Sequence, residues 1–465
     1  MLTERLEEIL HPSIFRAYDV RGIVGKTLTD SVVFLIGKAV GSLARDHGEH
    51  QVVIARDGRD SGPLLSKALC DGILSVGCDV VDIGVAPTPL LYYTTQIFAE
   101  HSGVMLTGSH NPPEYNGLKM VVRGIALTAD DIQALRTRIE AKQFYVGLGV
   151  RHEIDVTERY ISQMLQSVQV KRPLKIVVDA GNGVTGLLAP ALFRRFGCEV
   201  HELFCDIDGS FPNHHADPSQ PENLQDLIRV VKEKQADIGL AFDGDGDRLG
   251  VVTSRGDIIW PDRLLMLFAT ALLKTTPDAK IIFDVKCTSH LATLIQKLGG
   301  EAIMWKTGHS LIKAKMGEID AALGGEMSGH FFFRDRWYGF DDALYAGARL
   351  LEILADSTET SAALFDAIPN SVNTPELKIA VADEEKFGLM QQLIDNAFFS
   401  SAKEVMTIDG LRVNFCDGWG LVRPSNTTPH LVMRFEAVNE KVLSQIQEIF
   451  REWILSVRPN LVIPY

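Results

Sequence analysis

The sequence predicts an α/β protein of three related α/β domains, each with a mixed sheet, followed by a C-terminal α+β domain. Three segments, at residues 51–59, 175–183 and 280–288, each consist of a short β-branched run that ends in Asp and a polar turn. After each segment comes a helical pattern closed by a glycine, which suits a left-handed helix cap, and then a second extended run. The recurrence, at roughly 100 to 120 residues, is too long for a solenoid and indicates repeated domains.

The end of the chain follows a different pattern. GLRVNFCDGWGLVRPS and HLVMRFEAV are typical of strands, whereas EKVLSQIQEIFREWILSV is typical of a helix. Strands and helices that do not alternate regularly indicate an α+β domain. We therefore expect four domains, at residues 1–155, 156–257, 258–370 and 371–465.

The composition predicts a soluble cytoplasmic protein that binds neither nucleic acid nor membrane. Its 465 residues are too many for one core, and division by about 150 gives roughly three domains. The net charge of −14 disfavours nucleic acid, which needs a basic face. The six cysteines form no CxxC pair, and the acidic N-terminus does not resemble a signal peptide. The longest apolar run, 264–273, is far shorter than the ~20 residues of a membrane span.

Residues 103–117, GVMLTGSHNPPEYNG, combine a buried-looking strand with a polar turn. The apolar run ends in Ser109, His110 and their neighbours, and two prolines then exclude an immediate helix. By itself the pattern is compatible with an ordinary turn at a strand end. A serine held on a stiff loop for chemistry is the alternative, which this stretch alone favours less than the turn. We call residues 107–114 the serine loop.

The strongest local signal is DGDGDR, residues 243–248, which we call the acidic loop. An apolar strand runs into three carboxylates at alternate positions, Asp243, Asp245 and Asp247. Alternate residues of an extended segment face one way, and the intervening glycines let the chain curl around an ion. Carboxylate oxygens suit Mg²⁺ or Ca²⁺ rather than zinc, and the spacing does not fit an EF-hand. An acidic surface turn is the alternative, but three like charges on one side repel one another.

Two further loops are candidates for binding a sugar and a phosphate. In GEMSGH, residues 325–330 or the histidine loop, a carboxylate, a hydroxyl and an imidazole at period two can bind adjacent sugar hydroxyls, although a capped turn is an equal alternative. In RPSNTTP, residues 423–429 or the C-terminal loop, a guanidinium and short polar side chains suit a phosphate dianion, although hairpin loops often have this composition. The polar side chains of these two loops are Glu326, Ser328, His330, Arg423, Ser425, Asn426, Thr427 and Thr428.

Together these segments resemble one protein family. TGSHNP, DGDGDR, GEMSGH and RPSNTTP occur in the order and at the spacing of the four motifs of the α-D-phosphohexomutases. FRAYDVRG, GSFPNHHADP, DVKCT and KTGHSLIK match as well, so the resemblance runs essentially from end to end. It implies four domains around a central cleft, the last with a TATA-binding-protein-like topology. It also implies phosphohexomutase activity on mannose and glucose phosphates.

The resemblance implies a role for each motif. Ser109 would carry a phosphoryl group, and the three aspartates of the acidic loop would bind Mg²⁺ together with an oxygen of that phosphate. The residues expected near the reacting oxygens are His110, Lys119, Arg248, His309 and His330. The residues expected to hold the sugar or the other phosphate, or to line the cleft, are Tyr18, Arg21, Lys286, His309, Glu326, Ser328, His330, Arg423, Ser425, Asn426 and Thr427. Ser289 and His290 stand where relatives often have arginines, which puts a phosphate contact there in doubt.

The implied reaction is an exchange of phosphoryl groups. Phospho-Ser109 would phosphorylate the 6-hydroxyl of a hexose 1-phosphate, and the bound 1,6-bisphosphate would turn over and return its 1-phosphate. Such a reorientation predicts mobility between the last domain and the others. Either Lys119 or a histidine would take the proton, and a lysine base would need cationic neighbours that lower its pKa. Hexose phosphates are the expected partners, glucose 1,6-bisphosphate the expected activator, and a monomer the expected form.

Three alternatives stay open from the sequence. A phosphoglucosamine mutase is the alternative within the family, although its motifs usually read ASHNP and GEQSGH, whereas this chain has TGSHNP and Met327. A serine hydrolase is disfavoured because Ser109 is not in a G-x-S-x-G elbow. A non-catalytic protein of the same fold would bind Ca²⁺ or a sugar phosphate without ever being phosphorylated on Ser109.

Overall fold

Four sheets follow one another along the chain in the computed structural model, which describes residues 10–98, 100–426 and 428–465. The first three sheets are mixed and the fourth is antiparallel, so the fold class expected from the sequence is confirmed. Within the described residues, no helix combines the length and the apolar character that a bilayer crossing needs.

The first domain contains seven strands and four α-helices. Its strands are β1 Val20–Ile23, β2 Gln51–Arg56, β3 Asp79–Val85, β4 Gly103–Leu106, β5 Tyr115–Val122, β6 Ile125–Ala126 and β7 Arg151–Glu153. Its helices are α1 Asp30–Asp46, α2 Gly62–Leu74, α3 Thr88–Ile97 and α4 Ala129–Glu140, preceded by a 3-10 turn at Pro12–Ile14. The strand order is β1-β5-β4-β2-β3-β7, with β6 paired to β5.

The second and third domains are smaller versions of the same arrangement. The second comprises α5 Thr157–Ser167, β8 Lys175–Asp179, α6 Ala189–Arg195, β9 Glu199–Leu203, α7 Gln225–Lys234, β10 Ile238–Phe242, β11 Leu249–Thr253 and β12 Ile258–Ile259, with 3-10 turns at Val184–Leu187 and Pro221–Leu224. The third comprises α8 Pro261–Thr275, β13 Lys280–Asp284, α9 Ser289–Lys297, β14 Glu301–Trp305, α10 His309–Ile319, β15 Leu323–Gly325, β16 Phe331–Phe333, α11 Ala343–Asp356 and α12 Ser361–Asp366. The strand orders are β12-β11-β10-β8-β9 and β14-β13-β15-β16.

The C-terminal domain packs two helices against an antiparallel sheet. Its elements are β17 Val372–Asn373, β18 Leu377–Ala380, α13 Lys386–Asp395, β19 Glu404–Met406, β20 Leu411–Asn414, β21 Gly418–Pro424, β22 His430–Ala437 and α14 Glu440–Val457. The strand order is β17-β22-β21-β20-β19, with β18 also paired to β22.

The repeat predicted from the sequence corresponds to a shared core of four strands. In each mixed sheet a central strand (β2, β8 or β13) lies between two parallel neighbours. One of these neighbours is connected by a turn to a fourth strand, which pairs with it in the antiparallel direction. The three turns, from β4 to β5, β10 to β11 and β15 to β16, contain the serine, acidic and histidine loops. The turn from β21 to β22 contains the C-terminal loop. All four candidate loops are therefore connections between adjacent antiparallel strands.

Apolar packing joins the first three domains more extensively than it joins the fourth. One core runs through all three mixed sheets, and its aromatic part stacks Trp337 on Tyr345 and Tyr93, with ring centroids 4.5 and 5.9 Å away. Tyr160 meets Trp337 edge-on, so residues from all three domains share this cluster. The C-terminal domain has its own core and reaches the third domain through Trp419.

Candidate active site

The four candidate loops meet in one cleft. Ser109 of the serine loop donates a hydrogen bond from Oγ to Oδ2 of Asp243 in the acidic loop, at 2.9 Å. His330 of the histidine loop lies 3.4 Å from Asp247 of the acidic loop. The fourth loop joins them through Asn426, whose amide contacts the Tyr18 hydroxyl of the first domain. Residues more than a hundred positions apart in sequence therefore form a single site.

Ser109 is held in a left-handed backbone conformation, with φ of 48°. A non-glycine residue rarely adopts this conformation, and residues that do so cluster at functional sites. The serine is 3% exposed, and its hydroxyl lies 3.2 Å from Nδ1 of His110. Burial, together with the charges of Arg248 and Arg21, lowers the pKa of His110 well below its usual value, which keeps this imidazole neutral.

The three carboxylates of the acidic loop converge as predicted. All three are fully buried, and one oxygen of each lies within 4.8 Å of one oxygen of the others. Asp243 Oδ1 accepts the backbone N–H groups of residues 246 to 248 at 3.0, 3.1 and 3.1 Å, so its own loop curls around it. Burial and the two neighbouring carboxylates raise the pKa of Asp243 well above its usual value. The cluster is therefore short of positive charge.

The donor set fits a divalent cation. Among residues 10–98, 100–426 and 428–465, Asp245 Oδ1 has no hydrogen-bond partner, and the neighbour of Asp247 Oδ1 is the His330 imidazole at 3.4 Å. Buried carboxylate oxygens normally have partners, because leaving them unpaired is costly. Hard oxygen ligands of this kind are those that Mg²⁺ prefers. The site residues thus match a metal centre in charge, ligand type and spacing.

Lys119, on β5, bridges two of these carboxylates. Its ammonium is 2.6 Å from Asp245 Oδ2 and also contacts Asp247, and its side chain is almost fully buried. Burial lowers the pKa of Lys119, but the carboxylates raise it further, so the net shift is upward. Cationic neighbours would help a lysine to act as a base, whereas the nearest charged groups of Lys119 in the structure are two carboxylates. Lys119 is thus a fixed positive charge in this arrangement.

Arg248 adds a second cation beside the serine loop. Its Nε lies 4.0 Å from Asp243 Oδ2 and its Nη1 lies 4.0 Å from Asp217 Oδ1. Nε has no hydrogen-bond partner among the residues that the structure describes. Burial lowers the pKa of Arg248, but Asp243 and Asp217 raise it above its usual value, so the guanidinium stays charged. Its unused N–H group is available to an anionic ligand.

The histidine loop brings its three polar side chains together, as their period-two spacing predicted. Nδ1 of His330 lies 2.8 Å from Ser328 Oγ and 3.3 Å from Glu326 Oε2. Burial lowers the pKa of His330, but Asp247 and Glu326 outweigh it and raise the pKa to about 9. His309, at the start of α10, stacks on His330 with ring centroids 5.5 Å apart. Burial and the charge of Lys313 lower the pKa of His309 well below its usual value.

The C-terminal loop presents a guanidinium and several hydroxyls to the cleft. Arg423 is the penultimate residue of β21 and donates from Nε to Asp409 Oδ2 at 2.9 Å, whereas its Nη2 has no hydrogen-bond partner within the described ranges. Ser425 Oγ accepts hydrogen bonds from the backbone and the hydroxyl of Thr428, at 3.1 and 2.8 Å. Thr427 lies outside the described residues. An anion placed here would find an unused N–H group of Arg423.

The remaining predicted residues have protein partners in this structure. Arg21 donates from Nη1 to the Gly108 carbonyl at 2.8 Å and also contacts Asn111, so it braces the serine loop. Tyr18 donates to the Thr307 carbonyl at 2.9 Å. Lys286 donates to Glu376 Oε1 at 2.8 Å, near the start of the C-terminal domain.

Ser289 and His290, whose role was in doubt, contact the C-terminal domain. Ser289 donates to Glu436 Oε1 at 3.0 Å, and His290 Nε2 lies 2.6 Å from Ser371 Oγ. These two residues therefore act between domains in this structure.

Sequence reasoning missed two buried groups that contact the site. Asp341 accepts a hydrogen bond from Lys313 Nζ at 2.7 Å, and its other oxygen lies 3.6 Å from His309 Nδ1. Thr88 donates to Asp245 Oδ2 at 2.6 Å. Neither residue belongs to a recognisable local pattern, since each is brought to the site by the packing of a different domain. For Asp341 the usable signal was a pair of adjacent aspartates, at 341 and 342, in an otherwise aromatic segment.

Comparisons with known proteins identify the family of the chain. Four family models match in order: phosphoglucomutase/phosphomannomutase alpha/beta/alpha domains I, II and III, at residues 12–146, 158–256 and 260–372, and the C-terminal domain of the same family, at 376–452.

Individual relatives match over nearly the whole chain. The chain is 53% identical to a phosphomannomutase/phosphoglucomutase of Pseudomonas putida and 51% identical to a phosphoglucomutase of Neisseria meningitidis, covering 98% and 97% of this chain and 98% of each relative. A crystal structure of a phosphoglucomutase/phosphomannomutase family protein from Burkholderia thailandensis superposes with a TM-score of 0.94 at 53% identity, over 98% of this chain and all of that one. The chain therefore belongs to the phosphoglucomutase/phosphomannomutase family.

Proposed function

We propose that this chain is a phosphohexomutase that interconverts the 1- and 6-phosphates of mannose and glucose through phospho-Ser109 and a bound 1,6-bisphosphate. The observation that supports it best is the hydrogen bond of 2.9 Å between Ser109 Oγ and Asp243, which joins a strained serine to a buried cluster of carboxylates. A phosphoryl group on this oxygen would lie against the acidic loop, where a cation is needed.

The proposed first half-reaction transfers the phosphoryl group to the sugar. The bond between phosphorus and Ser109 Oγ breaks, a bond to the sugar 6-oxygen forms, and the hydroxyl proton passes to a base. Mg²⁺ bound by the three aspartates would neutralise charge on the transferring group. Lys119 and Arg248 add two fixed positive charges beside it.

A histidine is the favoured proton acceptor. The lowered pKa values of His110 and His309 leave neutral imidazoles that can accept a proton, whereas the ammonium of Lys119 is paired with two carboxylates. His110 lies within hydrogen-bonding distance of Ser109 Oγ, so it can take the serine proton in the second half-reaction, when the 1-phosphate is returned.

The other end of the substrate is held away from the reaction. Glu326 and Ser328 would bind sugar hydroxyls, and Arg423, Ser425 and Asn426 would bind the phosphate that is not transferred; the unpartnered Nη2 of Arg423 among the described residues supports the second role. Because the bisphosphate presents each phosphate in turn, both groups of residues accept the sugar in two orientations. Tyr18, Arg21 and Lys286 line the same cleft, and Thr427 remains a prediction from the sequence.

Further features of the proposal follow from the site. Glucose 1,6-bisphosphate would activate the protein by phosphorylating Ser109. One chain supplies all four loops, which supports a monomer as the active form. Six unpaired cysteines, five of them with a raised thiol pKa where burial is the largest cause, support a reducing, cytoplasmic location.

Phosphorus-31 NMR of the purified chain tests this function. The chain is supplied with Mg²⁺, a trace of glucose 1,6-bisphosphate and, separately, mannose 1-phosphate, glucose 1-phosphate or glucosamine 1-phosphate. We expect 6-phosphate signals from the first two sugars at similar rates. Conversion of glucosamine 1-phosphate alone would assign the chain to phosphoglucosamine mutases, an alternative that the names of its relatives disfavour. No conversion of any sugar would contradict the proposal.

A further inference from the structure

The conformation of Ser109 needs an external support. Its left-handed φ of 48° is unfavourable for a residue with a side chain, and its carbonyl is pressed against the acidic loop. A Cβ on Gly244 would lie 2.4 Å from this carbonyl oxygen, which shows how closely the two loops approach. A buried carbonyl in such a place must find a hydrogen-bond donor.

Arg59 supplies that donor, and it binds two further carbonyls of the serine loop and one at the start of β5. Its guanidinium is 1% exposed and donates to the carbonyls of Ser109 at 2.8 Å, Asn111 at 2.6 Å, Pro112 at 2.6 Å and Tyr115 at 3.0 Å. Only the planar, five-donor fork of arginine can serve so many carbonyls at once. The whole serine loop is thus wrapped around one side chain.

Asp57 binds donors of the serine loop, whereas Arg59 binds its carbonyl oxygens. Its Oδ2 accepts from Arg59 Nε at 3.1 Å, from the Thr107 hydroxyl at 2.8 Å and from the Gly108 N–H at 3.0 Å. The Thr107 hydroxyl oxygen in turn accepts the Ser109 N–H at 2.8 Å. Both polar groups of the Ser109 backbone are therefore tied to the pair formed by Asp57 and Arg59.

The second domain packs onto this pair. The Phe211 ring centroid lies 5.1 Å from the guanidinium carbon of Arg59, and a Cβ on Gly209 would lie 2.9 Å from its Cα. The second domain also carries the acidic loop, in the turn that follows β10. Arg59 thus contacts both the serine loop and the second domain, which must be aligned for Ser109 to face the three aspartates.

We propose that Asp57 and Arg59 are positioning residues, which hold Ser109 in its strained conformation and in register with the acidic loop. The inference rests on the proposed phosphoryl transfer at Ser109. Among the described residues, the side-chain hydrogen bonds of Asp57 and Arg59 go to each other and to residues 107–115, and not to the histidine loop or the C-terminal loop. We therefore expect their effect on the transfer step and not on substrate affinity.

The direct test replaces Arg59 by methionine, which keeps an unbranched apolar chain in place of the arginine stem and removes every donor. A displacement of about 1 Å at a reacting atom costs about 100-fold in rate. We therefore expect kcat for glucose 1-phosphate to fall about 100-fold while KM changes less than about threefold. The rate at which [³²P]glucose 1,6-bisphosphate labels Ser109 should fall by the same factor.

Arg349→Met is the matched control for loss of a buried arginine. Arg349 is 4% exposed, donates to Asp335 at 2.9 Å and lies 4.5 Å from the Phe333 ring centroid, on α11 of the third domain. It has no contact with the serine loop in the structure described here. A comparable fall in thermal midpoint for both variants, with kcat lost only in Arg59→Met, would support positioning.

Thr107→Val keeps the test decisive if Arg59→Met does not fold. This variant is nearly isosteric and removes the link between Asp57 and the Ser109 N–H, so we expect kcat to fall about 10-fold at unchanged KM. The inference is overturned if Thr107→Val, or a folded Arg59→Met, has the kcat and labelling rate of the control, or if the loss is in KM alone. Absence of turnover and labelling in the unmodified chain would refute the proposed function instead.

Discussion

The two ends of the cleft are held in different ways. At the transfer end, Ser109, Asp243 and Lys119 are each exposed by 4% or less, and each is bonded to a group from another domain. At the recognition end, Arg423 keeps an unpartnered N–H group among the described residues. Arg248 at the transfer end also keeps an unpartnered N–H group among the described residues, so each end has a donor for an anion. What distinguishes the transfer end is its set of buried bonds between domains, which electrostatic catalysis requires.

The C-terminal domain shows the same contrast in its two interfaces. Towards the third domain, Arg412 is 1% exposed and donates to the Val285 and Cys287 carbonyls at 2.6 and 2.9 Å. Towards the first domain, Arg16 meets Asp383 at 3.2 Å in a largely exposed pair, which stabilises weakly. A movement that frees the bisphosphate to turn should therefore open the cleft on the side of the first domain.

Removing the Ser109 hydroxyl should have the largest effect of any single change. Ser109→Ala deletes the oxygen that carries the phosphoryl group, so we expect kcat to fall by about four orders of magnitude. Labelling by [³²P]glucose 1,6-bisphosphate should disappear, while binding of glucose 6-phosphate by calorimetry stays within a few-fold. Ser31→Ala, at an exposed site on α1, should behave as the unmodified chain. Full turnover by Ser109→Ala would show that Ser109 does not carry the phosphoryl group. The two ends of the cleft would then not differ in the role proposed for them.

Weakening the carboxylate cluster should disturb the transfer end next most strongly. Asp245→Asn keeps the shape and removes one negative charge, so the Mg²⁺ concentration for half-maximal activity should rise about 100-fold. A chelator should abolish activity in the unmodified chain, and added Mg²⁺ should restore it. Asp226→Asn, on the exposed face of α7, is the control. An unchanged Mg²⁺ requirement in Asp245→Asn would contradict the metal assignment.

A change at the recognition end should appear in KM. Arg423→Met removes the guanidinium proposed to bind the distant phosphate, and charge-assisted hydrogen bonds of this kind are worth about 10- to 100-fold in affinity. We expect KM for glucose 1-phosphate to rise by that factor and kcat to change less. Steady-state kinetics of Arg423→Met measures the effects on kcat and KM separately. Arg458→Met, which replaces an exposed arginine on the same domain, is the control. A loss confined to kcat would assign Arg423 to the transfer end.

The smallest effect concerns pH and the charge on His330. Its pKa is raised to about 9, so protonated His330 stabilises the metal-free fold below pH 6.5, and this contribution is lost as pH rises through about 9. Urea unfolding with chelator present should show a decrease on the order of 1 kcal/mol over that range. His330→Gln should flatten the dependence. If the free energy of unfolding still decreases with pH in His330→Gln, the decrease arises from a group other than His330.

Much of the fold was readable from the sequence because its signals are local. The β-branched runs, the closing glycines and the acidic loop each depend on neighbouring residues, and the repeat of these signals predicted three related domains. That the functional loops all connect antiparallel strands was not readable, because strand pairing joins distant segments.

The residues of the candidate site also divide into those that local motifs revealed and those that only the packing of distant segments brings together. Ser109 and the three aspartates stand in dense motifs, and the structure brings them together. Asp341 and Thr88 were missed because only the packing of domains brings them to the cleft. The contacts of Lys119 with Asp245 and Asp247 were not readable, since a strand residue does not reveal which loop lies across from it.

The most direct test of the account follows one phosphoryl group through Ser109. The chain is first labelled with [³²P]glucose 1,6-bisphosphate, freed of small molecules, and shown by peptide mass spectrometry to carry the label on Ser109. It is then mixed rapidly with unlabelled glucose 1-phosphate and Mg²⁺. We predict that the label leaves the protein within one turnover and appears first in the bisphosphate and then in glucose 6-phosphate. Label that stays on the protein while glucose 6-phosphate accumulates would contradict the account.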